Sequence, residues 1–434
     1  MTAAPGLGWL GIARLGLVQS AIGAIVMLAT SLLNRVMVVE YALPAMIPAG
    51  LVAWHYVVQL SRPRWGHGSD AGARRTPWIA GGMAALALGA VLACDATLMM
   101  TSRPVAGPLL AVVAFTMIGG GVGAAGTSLL ALLASEVAPA RRPAAAAMTW
   151  IMMIAGIVVT AGIAGQLIDP FSPQRLTYVV SGVALAALVV ALLAIWGVEQ
   201  PRHAPVHGEA GAPFMTVLAE IWADTAARRF TVFVFLSMLA YSAQDLILEP
   251  FAGLRFGFTP GESTSLAGIQ HGGVLAGMLL VGVLGNAFAR GRALLRGWIV
   301  GGCGGSALAL VGLVVAADAG PGWPLQVNVA VLGFANGVFA VAAIGSMMGL
   351  AGADGPGREG VRMGVWGAAQ AIGFAMGGFL GAAGVDAMRA LTGNDVQSFG
   401  LVFAIEAALF VAAAVMALRI AAPGRSGNMV GAGA

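Results

Sequence analysis

Long apolar runs alternate with short polar loops along almost the whole chain. Most runs are about 20 residues long, the length that an α-helix needs to cross roughly 30 Å of hydrocarbon. In lipid every backbone amide must be paired within its own segment, so the runs predict membrane-spanning helices. Twelve helices are predicted, at about residues 15–38, 42–61, 77–96, 105–134, 145–168, 176–197, 229–249, 264–287, 293–317, 325–350, 361–387 and 397–420.

A polar stretch divides these helices into two groups of six. The pattern predicts a first six-helix half at residues 1–198, a middle loop at 199–228, a second half at 229–421 and a disordered tail at 422–434. Within the middle loop, residues 214–226 fit either a short interfacial helix or a solvated linker. The fold class predicted from the pattern is all-α integral membrane.

Composition supports this interpretation. The chain is 59% hydrophobic and 9% charged, whereas a soluble protein carries about 25% charged residues. The basic residues are all arginines and lie in the loops rather than on one soluble face, so we expect no nucleic acid partner. The two cysteines, Cys94 and Cys303, fall inside apolar runs, which argues against a disulfide framework or a zinc site.

The arginines also predict orientation. Most of them fall in loops on the side where both chain termini lie if the helix count is even. Positive residues concentrate on the cytoplasmic side of membrane proteins, so both termini are expected in the cytoplasm.

The loop between helices 2 and 3 contains a recognisable motif. Its pattern resembles the signature loop of the major facilitator superfamily, with one extra residue before the arginines; the alternative is an ordinary basic loop. An aspartate there can accept hydrogen bonds from arginines or from a helix N-terminus, which would hold one arrangement of two rocking six-helix halves. The residues that fit are Gly66, Ser69, Asp70, Arg74 and Arg75.

Polar residues recur at the predicted outer ends of helices 1 and 7, in corresponding places of the two halves. Charges beside a membrane-buried segment are costly, and they are usually paired or functional. The alternative is that these charges lie in water beyond the lipid, and spacing does not decide between the two. The two sets are Asn34, Arg35 and Glu40 in helix 1 and Gln244, Asp245 and Glu249 in helix 7.

These same stretches carry a family resemblance. Residues 33–40, 244–251 and 68–79 resemble signatures of the PucC/LhaA family, the bacteriochlorophyll delivery branch of the major facilitator superfamily. The short loop after Asp70 makes the chain more similar to the subgroup encoded with bacteriochlorophyll synthesis genes. The resemblance implies a major facilitator fold of 12 transmembrane helices in the inner, intracytoplasmic photosynthetic membrane of a bacterium.

The resemblance also implies a function. It suggests an assembly factor, not an enzyme, that binds bacteriochlorophyll or its geranylgeranylated precursor as a ligand. The implied partners are light-harvesting apoproteins, bacteriochlorophyll synthase and geranylgeranyl reductase. The sequence shows no nucleotide loop, metal cluster or nucleophile–base pair that would indicate catalysis.

The magnesium of such a pigment takes an axial ligand, commonly imidazole. His55 in helix 2 and His271 in helix 8 occupy corresponding helices, with Gln59 and Gln270 beside them. These four side chains are the candidate pigment-binding residues. The alternative, which we favour for the histidines, is that each forms hydrogen bonds inside the bundle.

A second functional class is a proton-coupled secondary transporter of a small molecule. Such a transporter usually needs acidic residues at mid-depth in its central helices. The predicted helices 1, 4, 7 and 10 carry almost none there, which favours the assembly factor.

Overall fold

The structure, a computed structural model, describes residues 7–62, 65, 74–138, 141–199, 223, 225–287, 292–351 and 359–420. These ranges contain helices and no strand. Most of the middle loop and the tail from residue 421 lie outside them. The helices, numbered 1–12 in chain order, are Trp9–Glu40, Met46–Gln59, Thr76–Met99, Ala106–Glu136, Arg142–Ile168, Pro173–Ile195, Thr225–Ala243 continued by Leu248–Phe256, Pro260–Ala287, Arg292–Ala319, Leu325–Ala351, Glu359–Thr392 and Asp395–Ile420.

Eleven helices in the described ranges are long and apolar enough to cross a membrane. Helix 2 is apolar too, but it has only 14 residues. The chain is therefore a multi-pass integral membrane protein on the expected twelve-helix plan. We call the end of the bundle at which helix 1 begins and helix 12 ends the near end, and the opposite end the far end.

Three predicted boundaries were wrong by five residues or more. Helix 1 begins at Trp9 rather than near residue 15, helix 7 continues to Phe256 rather than ending near 249, and helix 11 continues to Thr392 rather than ending near 387. The hydropathy pattern places helix ends at polar residues. In helix 7 those residues are paired inside the protein, so the helix runs past them.

Packing within each half uses close helix pairs. Helices 3 and 4 and helices 1 and 5 form the main pairs of the first half, and helices 8 and 10, 7 and 11, and 9 and 12 those of the second. The halves meet along helices 5 and 8 and along helices 2 and 11. Glycine makes the tightest approach possible: a Cβ added at Gly333 of helix 10 would lie 2.0 Å from the backbone oxygen of Gln270.

Candidate functional site

Helices 1 and 7 both depart from α-helical geometry near the far end. Helix 1 contains π-helical segments at Leu28–Leu32 and Val36–Glu40, and helix 7 passes through a 3₁₀ turn at Gln244–Leu246. Such segments often occur at functional sites because they redirect side chains and leave backbone groups open. Here the two irregular stretches contact each other across the two halves.

Polar side chains join these two stretches. The Asn34 amide donates to the backbone oxygen of Leu246 at 2.8 Å, and the Ser31 hydroxyl donates to the Glu249 carboxylate. Asn34 and Glu249 are only 1% and 3% exposed. Glu249 is therefore enclosed by protein rather than in water, in contrast to one of the two alternatives that the spacing allowed.

Arg35 is the centre of the same contact. Its guanidinium, 2% exposed, pairs with Glu40 and donates to the backbone oxygen of Phe258 at 2.7 Å. Glu40 itself has a side chain 30% exposed at the far end. We call the following set the far-end network: Ser31, Asn34, Arg35, Glu40, Leu246, Glu249 and Phe258.

Two aspartates that the sequence interpretation missed form further contacts between the halves at the far end. Asp169, after helix 5, accepts from the Thr259 hydroxyl and from the Gly261 amide at 3.1 Å. Asp386 of helix 11 accepts from the backbone amides of Ala45 and Met46, at 3.1 and 2.7 Å. It thereby caps the N-terminus of helix 2. Each is a lone acid at the end of an apolar run, which is the signal that could have identified it.

Side-chain hydrogen bonds join the two halves at the far end. Eight of them connect described residues of the first half to described residues of the second. The far end is closed in this conformation.

The loop between helices 2 and 3 is described only in part. Gly66, Ser69 and Asp70 lie outside the described residues. At the start of helix 3, the buried carboxylate of Glu199 accepts from the Arg75 amide at 2.7 Å. It also accepts from the Thr76 amide and hydroxyl, at 2.7 and 2.6 Å, whereas Arg74 is exposed. The sequence interpretation missed this cap, in which Glu199, four residues after the end of helix 6, holds the N-terminus of helix 3.

His55 has both ring nitrogens engaged. Its Nδ1 lies 3.3 Å from the backbone oxygen of Val52, and its Nε2 lies 2.8 Å from the Gln59 amide nitrogen. Arg62 donates in turn to the Gln59 side-chain oxygen. His55 and Gln59 are thus paired with each other inside the bundle.

His271 is arranged differently. Its Nδ1 lies 2.9 Å from the backbone oxygen of Ala267, so Nδ1 carries the proton and Nε2 keeps its lone pair. His271 is half-buried, and its Nε2 makes no hydrogen bond within the part of the chain that the structure describes. Gln270, its neighbour, instead donates to Asp245 at 3.1 Å.

The acids of helix 7 lie deeper than the sequence suggested. Asp245 is eleven residues before the helix end at Phe256, about 16 Å along the axis. Glu406 is eleven residues after the start of helix 12 at Asp395, a similar depth. The expectation that helix 7 carries almost no acid at mid-depth was therefore wrong, because the helix continues past Glu249.

Three aromatic rings pack together in the middle of the bundle. Tyr56 stacks on Phe374 at a centroid distance of 5.7 Å, and Tyr241 meets the same ring edge-on at 5.7 Å. Both tyrosines are within electrostatic range of Asp245. Helices 2, 7 and 11 are thus joined around a polar group at mid-depth.

A family model described as PUCC protein matches residues 32–424 of this chain. The chain belongs to the PUCC family. It is 53% identical over 416 residues to the bacteriochlorophyll synthase 44.5 kDa chain of Rhodobacter capsulatus, covering 96% of each. It is 30% identical over 417 residues to the protein PucC of Cereibacter sphaeroides, covering 91% of this chain and 88% of that protein. The resemblance seen in the sequence signatures is confirmed.

Solved structures share the architecture of this PUCC family member. A mutant peptide transporter POT in complex with alafosfalin superposes with a TM-score of 0.70 at 13% identity, covering 96% of this chain and 97% of the transporter. At this identity the similarity extends to the fold alone. It confirms the predicted major facilitator fold of two six-helix halves.

Proposed function

We propose that this protein is a non-catalytic membrane assembly factor for the photosynthetic pigment system. It binds bacteriochlorophyll, or the geranylgeranylated precursor, and passes it from bacteriochlorophyll synthase and geranylgeranyl reductase to light-harvesting apoproteins. Family membership and the names of the relatives support a role in this pigment system. The proposed location is the intracytoplasmic photosynthetic membrane, with both termini in the cytoplasm.

The observation that carries the pigment proposal is the state of His271. A magnesium macrocycle needs an axial donor whose lone pair is free and whose ring is held in place. A histidine that donates Nδ1–H to a backbone oxygen and leaves Nε2 open meets both needs. Bound there, the pigment would supply light absorption and a metal centre, while the protein supplies only the ligand and the enclosure.

The membrane location suits this ligand. A macrocycle with a long isoprenoid tail has a large apolar surface, which is unfavourable in water. Transfer within the lipid plane avoids that exposure. The rings of Tyr56, Tyr241 and Phe374 offer flat apolar faces inside the same bundle.

The test compares two histidines in corresponding helices. The tagged full chain is purified in mild detergent from a pigment-producing phototroph, and its absorption and bound molecules are measured by spectroscopy and mass spectrometry. His271→Phe should lower the pigment per protein by about tenfold or more, since the axial ligand is lost. His55→Phe, the matched control, should keep the pigment on the protein that folds.

The outcomes separate the claims. A colourless wild-type protein from cells that make abundant pigment would overturn the pigment proposal. Pigment that persists in His271→Phe would be consistent with pigment delivery but would show that His271 is not the axial ligand. Synthase activity of the pure protein would overturn the non-catalytic assignment.

A second candidate is proton-coupled transport of a small molecule. The specific observation in its favour is that Asp245 and Glu249 lie within the membrane span of helix 7. Reconstitution in liposomes with a pH-sensitive dye tests it. Substrate-dependent proton uptake that Asp245→Asn abolishes would favour transport, and its absence would favour the pigment role.

A further inference from the structure

Glu406 has an unusual environment. It lies in the middle of helix 12, is 2% exposed, and neither of its carboxyl oxygens has a hydrogen-bond partner among the described residues. An ionised carboxylate without a partner is costly in an apolar interior, and more so inside a membrane. The side chain therefore needs either a proton or a cation.

A second carboxyl lies on the neighbouring helix at a similar depth. Asp245 is on helix 7, which packs against helix 12, and the ring centroids of Phe251 in helix 7 and Phe403 in helix 12 are 5.2 Å apart. The charge of Asp245 acts on Glu406 across this contact. Among the described residues, Gln270 donates a hydrogen bond to Asp245, and Tyr56 and Tyr241 are within electrostatic range of it. No arginine of the described residues pairs with either acid.

Two like charges at close range in a low-dielectric site do not both ionise. One member of such a pair keeps a proton, and the proton belongs to the pair rather than to either residue. Hard metal ions need more ligands than two carboxyls. Within the described ranges no group of three His, Cys, Asp or Glu side chains is placed to hold a metal ion.

We propose that Asp245 and Glu406 form a carboxyl pair that binds one exchangeable proton at mid-depth in the second half. Gln270 orients the pair by donating to Asp245. The site holds its proton whether the protein carries pigment or transports a small molecule, so the inference does not depend on either proposed function.

The pair lies next to the segment of helix 7 that contacts the first half, so binding of the proton should affect that segment. Asp245 lies in the 3₁₀ turn of helix 7, and the next residue, Leu246, accepts the hydrogen bond from Asn34 of the far-end network. Loss of the proton would put a second negative charge beside this turn. Proton binding is thereby coupled to the segment that joins the two halves.

The experiment uses the full chain in lipid nanodiscs and dicyclohexylcarbodiimide, which reacts with neutral carboxyls in apolar surroundings. The carboxyl oxygen bonds to the central carbon of the reagent and the carboxyl proton moves to its nitrogen, so no group leaves. Labelled residues are identified by peptide mass spectrometry across a pH series. Glu199 is the internal control, a buried carboxylate that already accepts hydrogen bonds from the start of helix 3.

We expect labelling at Asp245 or Glu406, with one label per chain, and none at Glu199. Asp245→Asn should move the labelling of Glu406 to more acidic pH by about one unit or more, because the like charge is gone. Infrared spectra provide a readout that needs no reagent access: Glu406→Gln should remove a carbonyl band of a neutral carboxyl.

The proposal is overturned if neither acid is labelled and the infrared band is also absent. Independent labelling of both acids, unaffected by substitution of the other, would also overturn it. Pigment is measured on the same samples. Loss of pigment with intact labelling would count against the pigment function alone.

Discussion

Helices 2 and 8 occupy corresponding places in the two halves, yet their histidine and glutamine side chains form different contacts. In helix 2, one hydrogen bond joins His55 to Gln59, and Arg62 donates to the Gln59 side-chain oxygen. In helix 8 Gln270 turns to Asp245 and His271 keeps one nitrogen free. Similar polar residues in the two halves therefore differ in their contacts: one histidine has both ring nitrogens engaged, and the other leaves one open.

The contrast extends to the acids. In the first half Glu199 is held by the start of helix 3, whereas in the second half Glu406 has no partner within the described residues. Buried polar groups without partners are costly, and they concentrate at functional sites. The second half is where substitutions should change function more than stability.

The largest effect is expected at Arg35, which links the first half to the second. Arg35→Met should destabilise the protein by about 3 kcal/mol or more, because Glu40 and the Phe258 oxygen lose a charged donor. Thermal unfolding in detergent measures the change. Arg255→Met, which removes contacts within the second half only, is the control. An equal loss of stability in both variants would show that the Arg35 contacts between the halves are no more important than contacts within one half.

A smaller effect is expected from two adjacent glycines of helix 8. A Cβ at Gly273 would lie 2.4 Å from the backbone oxygen of Ala330, whereas Gly272 faces open space. Gly273→Ala should cost about 1–3 kcal/mol by forcing helices 8 and 10 apart. Gly272→Ala should be neutral or stabilise by about 0.5–1 kcal/mol. Equal effects in thermal unfolding would show that the close approach of helices 8 and 10 at Gly273 does not limit stability.

Glu249→Gln tests the far-end network from the second half. The amide keeps the size but weakens the bond with Ser31, so we expect a loss of about 1–2 kcal/mol. Hydrogen exchange should increase in residues 28–40 and 244–256 and not in helix 6. Unchanged exchange at these segments would mean that the bond does not hold the halves together.

The smallest effect sharpens the comparison of the two histidines. Gln59→Leu should cost about 1 kcal/mol and leave Nε2 of His55 open, as Nε2 of His271 already is. Diethyl pyrocarbonate should then modify His55 in the variant. In the parent protein we expect it to modify His271 and not His55. Reaction of His55 in the parent protein would contradict the hydrogen-bonded state seen here.

Much of the architecture could be predicted because lipid allows few solutions. Apolar runs of membrane-spanning length gave the helices, and the signatures around Arg35 and Asp245 gave the family. The predicted end of helix 7 was wrong for a physical reason. The hydropathy pattern places the helix end at the charged Glu249, whereas the hydrogen bond from Ser31 to Glu249 lets the helix continue to Phe256.

The partners of the polar residues were beyond prediction. Asp169 and Asp386 looked like isolated acids. Asp169 accepts hydrogen bonds from residues 90 and 92 positions away along the chain, and Asp386 from residues 340 and 341 positions away. His55 and His271 looked equivalent, and only their surroundings separate them.

The sequence by itself determined that this chain crosses the membrane many times, that it has two six-helix halves, and that it belongs with the PUCC proteins. These properties depend on local composition and motif, since each helix satisfies its own backbone. Only the tertiary structure decided which polar groups are closed by a partner and which remain open. The pairing of polar groups depends on contacts between helices far apart in the chain, and these contacts cannot be predicted from any single apolar run.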